Sequence, residues 1–326
     1  MKTQTIAANS VSTICWSNDS IVDWASSGIQ YSIDNQQKQL GRAHYGSLFN
    51  SAIISANGQY AFICYKLGTK GLLLKDGEVL REIDRSYYCA QVYEYPATFI
   101  TINDKTYLIH CPKSYCRIDI EDVETGEIIT DVPDRAPSDT FYSRFEISPE
   151  NTFLMSRGWN WHPVDMVYVF NIDNCLKNPL LLDRSNLSPD WETEICTASF
   201  INDRQVLIGS SNEVFDEELE NPPVKSIGIW DLESDQISPF VKVDGEFGNL
   251  FAISEKFAWD TFRYPKIINI KTGAIVDKDE SVNSGEQNSS IIGNNTPQIV
   301  FNKKTKQLAL KKENEIIVLT PPDFAL

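Results

Sequence analysis

Ile54-Ser-Ala-Asn-Gly-Gln-Tyr60 joins two apolar stretches through a polar turn, and the chain repeats this phrase six more times. It reads Trp16-Ser-Asn-Asp-Ser-Ile21, Ile102-Asn-Asp-Lys-Thr-Tyr107, Ile147-Ser-Pro-Glu-Asn-Thr-Phe153, Ile201-Asn-Asp-Arg-Gln-Val206, Ile253-Ser-Glu-Lys-Phe257 and Phe301-Asn-Lys-Lys-Thr-Lys-Gln-Leu308. From Trp16 to Phe301 the anchors lie 38, 48, 45, 54, 52 and 48 residues apart. That spacing is the length of a four-stranded propeller blade.

A second phrase is counted independently and also comes to seven. Gly28-Ile-Gln-Tyr-Ser-Ile-Asp34, Val167-Tyr-Val-Phe-Asn-Ile-Asp173 and Ile227-Gly-Ile-Trp-Asp-Leu-Glu-Ser234 are three of its copies, each an apolar strand running into a turn. Ile, Val, Tyr and Phe bounded by Asn, Asp, Gly and Ser are hairpin signals, because those turn residues accept left-handed or locally hydrogen-bonded backbone. No stretch sustains a 3.6-residue apolar period, so almost no helix is expected. The fold class predicted is all-β: a seven-bladed β-propeller of four-stranded antiparallel blades. A two-sheet sandwich uses similar strands but requires no even repeat of this length.

The blades are expected near 10–45, 48–85, 88–133, 141–184, 193–244, 247–279 and 296–320, within a single domain 1–326. In the third, the first strand is placed either near Ala97 or within Cys89 to Tyr95. The seventh lacks a strand, since two prolines follow Thr320. Residues 3–8 supply the surplus strand, and pairing it with 315–319 removes an exposed sheet edge.

Composition bounds the function classes. A net charge of -16 disfavours nucleic acid and anionic membrane as partners. No segment approaches the roughly 20 apolar residues of a membrane span, and the first residues carry no apolar run of signal-peptide length, so a cytoplasmic location is expected. Seven cysteines, an odd number, read as reduced buried thiols. Cys111 and Cys116 flank a turn but lack further ligands for zinc, so neither metal nor cofactor is expected. His44, His110 and His162 have no metal spacing, and no phosphate loop or nucleophile elbow is present. Lys303, Lys304, Lys306, Lys311 and Lys312 read as ordinary solvated surface of a short turn and its strands.

Loop length gives the ring a direction. Turns within the strand pairs are short and fall on one face; the connections expected to be long, 133–140, 157–165, 184–192, 211–224 and 279–296, all fall on the other. Four of these five belong to blades four and five. They carry Arg157, Trp159, Trp161, His162 and Trp191, and the acidic run Glu213, Phe215, Asp216, Glu217 and Glu218. Exposed aromatics of this kind anchor protein interfaces, with the carboxylates as a charged rim; the competing expectation is that the tryptophans fold back as lids over their own blades. The Ser- and Asn-rich stretch 279–296 reads as a mobile loop.

With Trp230-Asp231 as its one matching dipeptide, and no Gly-His in any blade, the chain resembles the WD40-like propellers with divergent repeats over residues 3–320. The resemblance implies the fold and a general role as scaffold or recognition module. Three functional readings stand. The first is a noncatalytic protein-binding propeller using the long-loop face of blades four and five. The second is an acidic neutralising partner, of immunity or inhibitor type, for a basic toxin or enzyme. The third is a hydrolase or lactonase-like enzyme at the central channel, whose residues would come from separate blades and leave no local motif.

Overall fold

The computed structural model describes all residues except 47, 162, 186, 191–192, 214–222 and 294–295. It is a seven-bladed β-propeller. Blade two shows the unit in full: Ser51–Ile54, Tyr60–Cys64, Lys70–Lys75 and Glu78–Asp84, each antiparallel to the next. The ring closes as expected, because Lys2–Ala7 pairs antiparallel with Glu315–Thr320, from Lys2 opposite Thr320 to Ala7 opposite Glu315. Blade three begins at Ala97–Ile102, the first of the two placements.

The core is distributed between the blades. Seven buried clusters, one per pair of neighbouring blades, hold the ring together. A strand with a cluster on each side must be apolar on both faces, which is why these strands read as near-continuous apolar runs. In Tyr60–Cys64, residues 60, 62 and 64 join the cluster toward blade three, while Ala61 and Ile63 join the one toward blade one. The last strand works likewise: Ile316 and Val318 pack toward blade one, Ile317 and Leu319 toward blade six.

Blade four departs most from the repeat. Its inner strand is broken into Thr140–Phe141 and Glu146–Ile147, both paired with Phe153–Asn160, which in turn pairs with Val164–Asn171. The outer edge then carries a six-residue helix, Ile172–Lys177, and a 3-10 turn, Pro179–Leu182. Asn171 caps the helix by accepting from Asn174 N, and Ile172 and Cys175, three residues apart, are its buried side. An i, i+3 pair behind an Asn cap is a signal too short for a periodicity reading to register.

Candidate functional site

The long-loop face is built differently from the sequence expectation. Residues 157–160 belong to the eight-residue strand Phe153–Asn160 and 164–165 to its partner Val164–Asn171, so most of 157–165 is paired strand rather than a long connection. Gly158 explains the difference: a Cβ there would lie 2.2 Å from Phe141 O, so the glycine lets the broken inner strand lie against this one. Arg157 and Trp159 are consequently interior, 8% and 3% exposed, which removes both from the set of exposed anchors. The Arg157 guanidinium donates to Arg144 O at 2.9 Å and to Ala198 O at 3.0 Å. His162, Trp191, Phe215, Asp216, Glu217 and Glu218 lie outside the described residues; Glu213 is exposed, with its N–H donating to Ser211 Oγ.

Trp161 remains at the surface, 44% exposed, and it has company from blade three. Its ring meets those of Tyr88, Phe141 and Trp159 edge-on at centroid distances of 6.0, 5.3 and 5.6 Å. Beneath it, Phe141 stacks on Trp159 at 3.8 Å with the planes 3° apart, and Tyr115 stacks on Phe141 at 4.6 Å. Tyr88 is partly exposed and Tyr87 beside it is 83% exposed. These tyrosines come from the link 85–96 between blades two and three, a further long connection on the same face beyond the five expected. Arg85-Ser-Tyr-Tyr88 was its sequence signal: an aromatic pair in a stretch without strand alternation.

Residues 279–293, expected to belong to a mobile loop, are tied as a strap by hydrogen bonds to other blades. The strap leaves blade six and contacts blades four and three, so it crosses the long-loop end of the central channel. Ser290 N donates to Asp165 Oδ1 at 2.8 Å, Ile292 N donates to Val92 O at 2.9 Å, and Gln287 Nε2 donates to Glu94 Oε1 at 3.0 Å. Under the strap, Arg144 donates to Ser290 Oγ at 2.6 Å, Asn249 Oδ1 at 2.7 Å and Cys196 O at 2.9 Å. Burial, and then the charge of Arg157, lower the Arg144 guanidinium to about 10. Glu194 accepts from Asp165 N at 2.6 Å; burial, and the charges of Asp165 and Glu213, push its carboxyl up to about 7.

At the short-turn end the channel holds a cavity of about 620 Å³. Its walls are the inner strands of blades one, two, three, four, six and seven, with Ile53, Phe99, Phe145, Phe251 and Phe301 as the apolar lining. Lys303 and Lys304 stand at its rim, beside a second cavity of about 380 Å³ that Lys306 also lines. Three of the five lysines read as plain surface, Lys303, Lys304 and Lys306, thus sit where the inner strands converge. Glu146 lies 3.5 Å from Arg157 and 3.6 Å from Lys303.

The remaining titratable groups are structural ties. His110 is fully buried, with Nε2 2.8 Å from Glu121 Oε2, and Arg81 holds the same carboxylate. Cys111 is buried, with its thiol held well above the usual range by burial and the Asp119 charge; Cys116 is half-buried, and both are free. Among the described residues no group of three or more His, Cys, Asp or Glu side chains is arranged to hold a metal ion.

No protein-family model matches the chain, and no curated protein matches it in sequence. The fold is widespread, with 998 chains of solved structures similar to it. One, described as the crystal structure of a mitotic checkpoint complex, superposes with a TM-score of 0.62 over 98% of this chain and 91% of the other, at 9% sequence identity. At that identity the likeness establishes architecture, and the site must be argued from its own residues.

Proposed function

We propose that this propeller is a noncatalytic protein-binding module acting through its long-loop face. One observation carries the reading: Tyr88 and Trp161 form a solvent-open aromatic platform on the Phe141–Trp159 stack, with the exposed Tyr87 next to Tyr88 in the chain. The sector is centred on blades three and four, one blade earlier than the sequence indicated. Large aromatics lose little side-chain entropy on docking, and each well-buried anchor contributes about 2 kcal/mol or more. The overall charge of -16 favours a basic partner, with Glu213, Asp216, Glu217 and Glu218 steering its approach. That a structure of like fold is described as a complex accords with this reading by analogy of fold alone.

The test compares the wild-type protein with Trp161→Ala/Tyr88→Ala in affinity capture from the source cell, followed by binding kinetics on the captured partner. A partner recovered at stoichiometric yield should leave the variant at least about tenfold faster. Neutralising the acidic run should slow association instead and flatten its salt dependence. A stoichiometric partner that the aromatic variant holds as tightly as the wild type places the interface elsewhere.

A further inference from the structure

The two ends of the central channel are not equivalent, and the short-turn end has the makings of a second site. The strap crosses the other end and leaves there a cavity of about 190 Å³, bounded by Ser284 and Gln287 of the strap itself. No such segment crosses the short-turn end among the described residues, and the cavity of about 620 Å³ there falls within the range of small-molecule sites.

Charge and wall chemistry narrow what would fit. The residues lining this cavity and its neighbour include four cationic side chains, Arg157, Lys303, Lys304 and Lys306, and one carboxylate, Glu146. Glu146 is already shared between Arg157 and Lys303, and Lys303 Nζ also donates to Ile147 O at 2.5 Å. Lys304 and Lys306 have no ion pair among the described residues. Lys306 is half-buried, with its ammonium lowered by burial and by the nearby Lys303 charge. One carboxylate, Glu146, thus faces Arg157, Lys303 and Lys306, and the exposed Lys304 adds a further cation at the rim, a local excess of positive charge that favours an anionic ligand on a protein of net charge -16. Behind them the cavity offers the rings of Phe99, Phe145, Phe251 and Phe301.

We infer that the short-turn end of the channel binds a small amphipathic anion, an apolar body lodged among these phenylalanines with its carboxylate, sulfonate or phosphate held by Lys304 and Lys306. The site is independent of the protein-binding platform, which lies on the opposite face.

The probe for the experiment is 8-anilinonaphthalene-1-sulfonate, an aromatic anion whose fluorescence rises in an apolar site. It should bind with one-to-one saturation and be displaced by 1-naphthoate but not by the cationic 1-naphthylmethylamine. Lys304→Gln/Lys306→Gln should weaken binding by roughly tenfold, the sum of two modest charge contacts, and leave the thermal midpoint unchanged. Phe99→Asp, placed in the wall, should abolish binding. The inference is overturned if the double lysine variant binds the probe as well as the wild type, or if the amine displaces it as effectively as the naphthoate.

Discussion

The central channel has two ends built from the same ring of inner strands, and they differ in what covers them. On the long-loop face a strap from blade six reaches blades four and three and is tied down through Ser290, Gln287 and Ile292. On the short-turn face the hairpins are too short to reach across, and an aromatic-lined cavity stays open below a lysine rim. Long loops are usually taken to mark where a scaffold is accessible. Here the longest described connection is spent on closing the channel, and access passes to the face whose loops are least conspicuous.

The largest expected effect comes from unlatching the ring that holds both ends. Removing residues 1–7 deletes the strand opposite Glu315–Thr320, together with Ile6, which is fully buried between blades seven and one. A loss on the order of 5 kcal/mol is expected from the missing ladder and packing. Urea denaturation of the truncated protein measures it, and an unchanged midpoint would contradict the closure.

Next comes the tie beneath the strap. Arg144→Ala leaves Ser290, Asn249 and the Cys196 carbonyl without their charged donor, at a cost of about 3 kcal/mol. Hydrogen exchange should accelerate in 284–293 and stay unchanged in the turns 148–152 and 302–307. Equal acceleration at both ends would show that the strap is not a separate closure.

Glu194 sharpens the comparison through pH. Its folded-state carboxyl is raised to about 7 from an ordinary value of 4.5, so the folded protein holds this proton more tightly than the unfolded chain. Ionisation therefore destabilises the fold progressively as pH rises from 4.5 toward 7, and the penalty is complete above that. Glu194→Gln keeps an acceptor for Asp165 N and removes the charge. At pH 8 it should be more stable than the wild type by about 2 kcal/mol, a figure reduced for partial solvent screening. At pH 4 the gap should vanish, and a gap independent of pH would refute the assignment.

The smallest effect on stability belongs to the open end. Lys304→Gln should shift unfolding by less than about 0.5 kcal/mol, since the side chain is exposed and unpaired. Its consequence should appear in anion binding instead, and a large loss of stability would make Lys304 a structural residue.

Much of the architecture was legible because it is local and repeated. Each blade is a run of adjacent hairpins, so turn residues such as Asn57-Gly58 and the apolar strands beside them announce it at a fixed period. Even the closure could be read, since a missing strand after Thr320 and a surplus one before Asn9 leave a single solution. The stretch 157–163 defeated this reading: Gly, Asn and Pro among tryptophans look like a loop. Whether Gly158 breaks a strand or accommodates a neighbour depends on Phe141, which lies 17 residues away in sequence and against it in space.

The chain alone therefore determined the all-β class, the seven-fold repeat, the latch of its termini and the net charge of -16, because each follows from hairpin period, strand count or summed charge. Only the tertiary structure decided that Trp159 is a buried support for Trp161, that Tyr88 joins them from another blade, that 279–293 is a strap, and that Lys303 and Lys304 rim the channel cavity with Lys306 lining its neighbour. Those facts depend on which residues converge when the ring closes. Convergence across blades leaves no period, spacing or motif in the chain, because the partners are brought together by packing between repeats rather than by the repeat itself.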